Sequence, residues 1–214
     1  MFGGFILESP YRIPLAVGAV LLLGLGILFL FKSDSPVHNY PSSGTDIIAF
    51  GDSLVEGVGA NNGKDFVSLL SQKIGRPIVN LGVSGNTTAQ GLARIKELDR
   101  YNPKVVLLLL GGNDHLRKVP IEETFANLGK IIEEIHARGA VVVILGVRGS
   151  IIRDQFEEHF EELAEEYDAA YVPDVLDGLF GRSTYMTDTI HPNDAGYAII
   201  ADRVYPVLIS LLTP

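Results

Sequence analysis

Five short apolar runs alternate with longer stretches that have helical spacing, and this alternation constrains the fold more than any other feature. The runs are DIIAF (46–50), PIVNLG (77–82), KVVLLLLG (104–111), AVVVILGV (140–147) and AAYVPDV (169–175). Most are apolar along nearly their whole length rather than at every second residue, which is typical of strands buried on both faces. We therefore predict five strands in a parallel sheet.

The stretches between the runs predict helices that cover this sheet. Within 121–138, apolar residues recur three or four positions apart, and Gly139 follows as a stop signal. Residues 193–212 predict a closing helix, with Pro192 directly before it. Because strands that alternate with helices are joined by right-handed crossovers, we expect an α/β fold with helices on both faces of the sheet.

Residues 13–31 form a continuous apolar segment without a charged or strongly polar side chain. A helix of 19 residues is about 28 Å long, close to the hydrocarbon thickness of a bilayer. Arg12 and Lys32 flank the segment, and no small-x-small cleavage motif follows it. Residues 1–32 are therefore predicted to be a membrane anchor, in preference to a cleaved signal peptide or a buried core helix.

The segment 33–45 (SDSPVHNYPSSGT) is rich in serine, proline and other residues typical of linkers, and we interpret it as a solvated tether. Residues 46–214 then form one domain of ordinary size. We expect the anchor to hold this domain outside the cytoplasm.

Composition excludes several classes of function. The formal net charge is −9, and an acidic chain binds a phosphate backbone poorly, so nucleic acid is not an expected partner. The absence of cysteine excludes a disulfide scaffold, a thiol nucleophile and a thiolate zinc site. The glutamates between 157 and 166 predict a solvated helix face rather than a metal site, because no histidine-rich ligand set accompanies them.

The loops after the first three runs contain glycine and small polar residues. They read GDSL (51–54), VSGNT (83–87) and GGND (111–114). Open parallel sheets form their sites at the carboxyl ends of the strands, so these loops are expected to meet. Ser53 is a candidate nucleophile, although a serine hydroxyl is weak unless a base removes its proton.

The segment DTIHPN (188–193) supplies a candidate base. A carboxylate three residues before a histidine, here Asp188 before His191, can hold the ring through Nδ1–H and leave Nε2 free. Gly85 can offer a backbone N–H, and Asn113 a side-chain amide, to a developing oxyanion. Taken singly, each residue also fits an ordinary role in a turn, a helix cap or the surface.

Taken in order, the four blocks resemble SGNH (GDSL-type) hydrolases over essentially all of 47–212. SGNTTAQGLARI (84–95) and GGNDHLR (111–117) are particularly similar to the bacterial arylesterase, thioesterase I and lysophospholipase L1 subgroup. The resemblance implies a flavodoxin-like three-layer α/β/α sandwich with strand order 2-1-3-4-5, and neither a metal nor an organic cofactor. It also implies a set of site residues: a catalytic triad of Ser53, Asp188 and His191, and an oxyanion hole formed by Ser53, Gly85 and Asn113.

These features predict a serine esterase that hydrolyses carboxylic esters and thioesters through an acyl-enzyme. The expected substrates are short acyl esters, aryl esters or lysophospholipids, and the expected partner is the membrane, through the N-terminal helix. The resemblance implies a bacterial source, with the domain in the periplasm or cell envelope. Two alternatives stay open at this point: a carbohydrate O-acetylesterase, and a membrane-tethered binding module without turnover.

Overall fold

Five strands form a parallel sheet in the computed structural model, which describes residues 37–147 and 155–213. Their order across the sheet is β2-β1-β3-β4-β5, as predicted. The strands are β1 (Asp46–Gly51), β2 (Ile78–Gly82), β3 (Pro103–Leu109), β4 (Val141–Leu145) and β5 (Ala170–Val172). The described residues belong to one compact unit, Pro36–Pro214, and the predicted membrane span at 13–31 lies outside them.

The central strands of the sheet are the most completely buried part of the fold. β1 lies between β2 and β3, so that Ile47 is paired with Ile78 on one side and with Val105 on the other. Almost every residue of β1, β3 and β4 is buried. This burial explains why these strands read as continuous apolar runs, because a strand covered on both faces has no solvent side to fill with polar residues.

Helices form a layer on each face of the sheet. They are α1 (Ser53–Glu56), α2 (Phe66–Ile74), α3 (Thr88–Ala93), α4 (Gly112–Leu116), α5 (Ile121–His136), α6 (Gln155–Glu166) and α7 (Asp194–Leu212), with a 3-10 helix at Ile95–Arg100. α2 packs against α7, whereas α3 and α6 pack against α5. Right-handed crossovers place these two groups on opposite faces, which gives the expected three-layer sandwich.

The closing helix α7 is, within the described part of the chain, the helix that is long and apolar enough to cross a bilayer by length and composition. Its apolar side chains are nevertheless used in the domain core. Tyr197, Ile200, Val204 and Leu208 recur at helical spacing and are completely buried. We therefore interpret α7 as a core helix, capped at its start by the side chain of Asn193.

Residues 37–45 lie against the domain, so the prediction of a solvated tether was wrong for this part of the segment. The Asn39 amide donates to His136 O at 2.9 Å, and the Ser42 hydroxyl donates to Gly139 O at 2.7 Å. The His38 ring stacks on the His136 ring with centroids 4.1 Å apart. These contacts satisfy carbonyl groups at the end of α5, a tertiary role that linker composition does not reveal.

Candidate active site

The turn after β1 places Ser53 at the carboxyl edge of the sheet. Gly51 ends the strand where there is no room for a side chain, since a Cβ there would lie 2.3 Å from Leu109 O. Asp52 caps α1, its carboxylate accepting the Leu54 N–H at 3.0 Å. Ser53 is the first residue of α1 and is buried, at 8% exposed.

The segment before α7 brings a histidine and a carboxylate to this hydroxyl. His191 Nε2 lies 3.1 Å from Ser53 Oγ, although the two residues are 138 positions apart in the chain. His191 Nδ1 lies 2.8 Å from Asp188 Oδ2. With the Nδ1 proton directed to Asp188, Nε2 is the nitrogen that accepts from the serine hydroxyl.

Asp188 is held by the backbone of its own turn. Its Oδ1 accepts the N–H groups of Ile190 and His191 at 2.8 and 2.7 Å. The hydrogen bond with His191, followed by these two backbone hydrogen bonds, lowers the pKa of Asp188 to about 2. The carboxylate is therefore ionised at neutral pH and orients the imidazole.

Asn113 also lies at the site, at the start of α4. Its side-chain amide donates to Asn86 O at 3.0 Å and to Asp52 Oδ2 at 3.2 Å. Gly85, the neighbour of Asn86, has a left-handed backbone with φ +77°, and its carbonyl accepts from Arg117 Nη2 at 2.8 Å. A side chain at position 85 would be strained in this conformation, which accounts for glycine there.

A cavity of about 600 Å³ opens at these residues, a volume typical of small-molecule sites. Ser53, Asn113, Asp188 and His191 line it, whereas Gly85 lies in the neighbouring loop and is not among the lining residues. Most of the remaining wall is apolar and includes Leu54, Leu116, Val147, Leu176, Phe180 and Met186. The cavity therefore combines a reactive polar end with an apolar wall.

His115, the other histidine that the sequence places near these loops, lines the cavity and packs edge-on against Phe156. The adjacent Asp114 is directed elsewhere: it is completely buried and accepts from the Thr88 N–H and hydroxyl at 2.9 and 2.6 Å. Across the described ranges, no three His, Cys, Asp or Glu side chains stand close enough to hold a metal ion together.

Two charged residues beside the site were not identified from the sequence. Asp52 is almost completely buried, and this burial raises its pKa to about 6 against the opposing hydrogen bonds from Leu54 and Asn113. Arg94 lies beside the carboxyl ends of β1 and β2 and donates to a carbonyl oxygen of each strand. A charged residue directly after a buried strand is the signal that could have indicated Asp52; Arg94 has no comparable local signal.

Comparison with known proteins identifies the family of the chain. Residues 49–199 match the GDSL-like lipase/acylhydrolase family. Esterase TesA of Pseudomonas aeruginosa is 31% identical over 206 residues, which cover 91% of this chain and 99% of that protein. Thioesterase 1/protease 1/lysophospholipase L1 of Escherichia coli is 31% identical over 165 residues, covering 73% of this chain and 79% of that protein.

Solved structures are similar over the same domain. The crystal structure of TesA has a TM-score of 0.71 and 30% identity, covering 78% of this chain and 99% of that one. The psychrotrophic esterase EstA from Pseudoalteromonas sp., inhibited by monoethylphosphonate, has a TM-score of 0.72 and 25% identity, covering 79% of this chain and 99% of its own. The chain thus belongs to the GDSL-like lipase/acylhydrolase family and is an ester-cleaving hydrolase.

Proposed function

We propose that this protein is a serine esterase that cleaves carboxylic esters and thioesters through an acyl-enzyme on Ser53. The observation that carries the proposal is the hydrogen-bonded series from Ser53 Oγ to His191 Nε2, and from His191 Nδ1 to Asp188 Oδ2, at 3.1 and 2.8 Å. These distances lie within the reach needed for a nucleophile, its base and the group that orients the base.

The first half of the reaction forms the acyl-enzyme. Ser53 Oγ attacks the substrate carbonyl carbon while His191 Nε2 takes the hydroxyl proton, and the ionised Asp188 stabilises the resulting imidazolium. The backbone N–H groups of Ser53 and Gly85 stabilise the oxyanion of the tetrahedral intermediate, together with the Asn113 amide hydrogen that is directed to Asp52 Oδ2 in the free protein. The intermediate then collapses as His191 returns its proton to the departing alcohol or thiol.

The second half releases the acid. Water enters in place of the leaving group and gives its proton to His191 as it attacks the acyl carbon. The second tetrahedral intermediate uses the same three donors, and its collapse returns the proton to Ser53 Oγ. Both halves therefore need one base and one oxyanion hole, with no further cofactor in the scheme.

The apolar wall of the cavity supports acyl chains longer than acetyl as substrates. Leu54, Leu116 and Phe180 offer apolar surface beside the hydroxyl, and each buried methylene contributes about 0.8 kcal/mol. The similar proteins are named as esterase, arylesterase and thioesterase 1/protease 1/lysophospholipase L1, so we propose acyl esters, aryl esters and lysophospholipids as the substrate range.

The alternative of a carbohydrate O-acetylesterase makes a different prediction for chain length. A series of p-nitrophenyl esters from acetate to decanoate tests it, with kcat/KM as the measurement. We expect kcat/KM to rise beyond acetate because longer chains bury against the apolar wall. A maximum at acetate, together with rapid deacetylation of acetylated polysaccharide, would favour the alternative.

We also propose that residues 13–31 anchor the protein in a bacterial membrane and that the catalytic domain is extracytoplasmic. The support is the length of the apolar segment and the bacterial origin of the similar proteins. Fractionation followed by protease treatment of spheroplasts tests this. The domain should be in the membrane fraction and should be digested without lysis; protection from protease would place it in the cytoplasm.

The catalytic assignment is tested by replacing the nucleophile in the full chain. Ser53→Ala should abolish covalent labelling by a fluorophosphonate and lower kcat for p-nitrophenyl butyrate by about 10³-fold or more. Ser210→Ala is the matched control, because that serine is exposed on α7 and its hydroxyl donates to Val207 O within the same helix at 2.8 Å. Labelling that persists in Ser53→Ala would move the nucleophile to another residue.

A further inference from the structure

Arg94 lies directly after α3, beneath the loops that follow β1 and β2. Its side chain is only 14% exposed, and its guanidinium lies 4.1 Å from the centre of the Phe50 ring. Glu97 accepts from Nη1 at 3.2 Å and forms an ion pair with this cation. Placing a guanidinium so far from solvent is unfavourable unless its hydrogens are used, so its other partners are informative.

Two of those partners are the carbonyl groups that end neighbouring strands. Arg94 Nη2 donates to Gly51 O at 2.8 Å and to Leu81 O at 3.0 Å. Gly51 is the last residue of β1 and precedes Ser53 by two positions. The guanidinium therefore links the turn that carries Ser53 to the strand that leads into the loop carrying Gly85, in addition to the backbone hydrogen bond from Val83 N to Gly51 O at 3.0 Å.

A third partner extends this link to Asn113. Arg94 Nε donates to the side-chain oxygen of Asn86 at 2.7 Å, and the backbone oxygen of Asn86 accepts from Asn113 Nδ2 at 3.0 Å. Asn86 directly follows Gly85. One guanidinium is thus connected by hydrogen bonds to each of the three segments that carry an oxyanion donor.

We propose that Arg94 is a positioning residue for the oxyanion hole, holding the N–H groups of Ser53 and Gly85 and the amide of Asn113 in one arrangement. The inference rests on the function proposed above. Arginine suits this role because its planar group presents five donors in fixed directions, whereas a lysine ammonium on a flexible stem cannot reach the same three acceptors together.

The test is Arg94→Lys in the full chain, with Arg138→Lys as the matched control. Arg138 is similarly enclosed, at 18% exposed, and pairs with Asp99 and Glu134, away from the residues that line the cavity. Kinetics with p-nitrophenyl butyrate, inhibition by butylboronic acid and thermal unfolding are measured for both. The boronate is chosen because its tetrahedral adduct places an oxygen where the oxyanion forms.

We expect Arg94→Lys to lower kcat by about 10- to 100-fold while KM changes by less than about threefold, since small displacements of catalytic groups have effects of this size. The inhibition constant of the boronate should rise as kcat/KM falls. Arg138→Lys should lower the unfolding temperature and leave kcat within about threefold of wild type. If Arg94→Lys keeps the wild-type kcat, or if both variants lose kcat only in proportion to unfolding, the proposal is wrong.

A second variant keeps the test decisive if Arg94→Lys does not fold. Asn86→Ala removes the acceptor of Arg94 Nε but leaves the backbone oxygen that binds Asn113, so it should lower kcat with little change in KM. An unchanged kcat and an unchanged boronate affinity in Asn86→Ala would overturn the proposal. Ser53→Ala separates the two claims: activity retained there refutes the proposed function, whereas its loss beside a fully active Arg94→Lys refutes only the role of Arg94.

Discussion

Replacing Asp52 with asparagine should change how the stability of the fold depends on pH. The Asp52 side chain is almost completely buried, with Leu54 N–H and the Asn113 amide as its hydrogen-bond donors. Burial raises its pKa from 3.8 to about 6; charge on His191 opposes this effect and charge on Asp114 adds to it. Asparagine has the same size and can still accept from Leu54, but it does not titrate.

The direction and the size of the effect follow from the two pKa values. At pH values between 3.8 and about 6, Asp52 is mostly protonated in the folded protein and mostly ionised in the unfolded chain. Asp52 therefore becomes less destabilising as the pH falls. A carboxyl with a pKa of 3.8 unfolded and about 6 folded destabilises the fold by about 3 kcal/mol when fully ionised. About 1.4 kcal/mol of this is recovered between pH 8 and pH 5.

The assay is urea unfolding of wild type and Asp52→Asn at pH 8, 7, 6 and 5. The difference in unfolding free energy between the two proteins largely removes contributions from other titrating groups. Wild type should gain about 1.4 kcal/mol relative to Asp52→Asn from pH 8 to pH 5. A difference that is constant with pH, or that changes in the opposite direction, would refute the argument that burial controls this carboxyl.

Three further substitutions have outcomes that follow directly from the geometry. Asp188→Asn should lower kcat for p-nitrophenyl butyrate by about 10⁴-fold with unchanged circular dichroism, because the imidazolium of His191 loses its ionised partner. Gly51→Ala should give little soluble protein on expression, since its Cβ would lie 2.3 Å from Leu109 O. Asn39→Ala should lower the unfolding free energy in urea by about 1–3 kcal/mol, because it removes the side-chain donor to the carbonyl of His136, at the end of α5, and to that of Ala140, directly before β4.

The sequence predicts well those helices and strands whose pattern of apolar residues reflects which of their own faces are buried. β3 and β4 are continuous apolar runs because both of their faces are covered, and α5 shows a clear stripe because one face is buried. The order of the strands has no such local basis. It was expected from the resemblance to a family, since apolar runs do not indicate which neighbours they pair with.

The segment before β1 shows how local composition can mislead. Residues 37–45 contain the serine, proline and asparagine expected of a solvated tether. Two of their side chains nevertheless donate hydrogen bonds to carbonyl groups at the end of α5 and in the turn that follows it. Small polar side chains are common in linkers because they bond to water, but the same donors satisfy backbone carbonyls when a helix end is near. Composition therefore identifies donors without indicating what accepts from them.

The residues of the candidate site also divide into those with a signal in the local sequence and those whose position depends on the tertiary structure. Ser53, His191 and Asp188 are recognisable because the proposed chemistry needs particular side chains. Gly51, two residues before Ser53, is recognisable because the backbone needs room: a Cβ there would lie 2.3 Å from Leu109 O. Arg94 has neither property, since an arginine after a short helix is usually a solvated residue. Its position among three loops is determined only when β1 and β2 are adjacent. The residues that we propose carry out the chemistry are thus suggested by the sequence, whereas the residue that we propose holds them at their working distances becomes visible only in the fold.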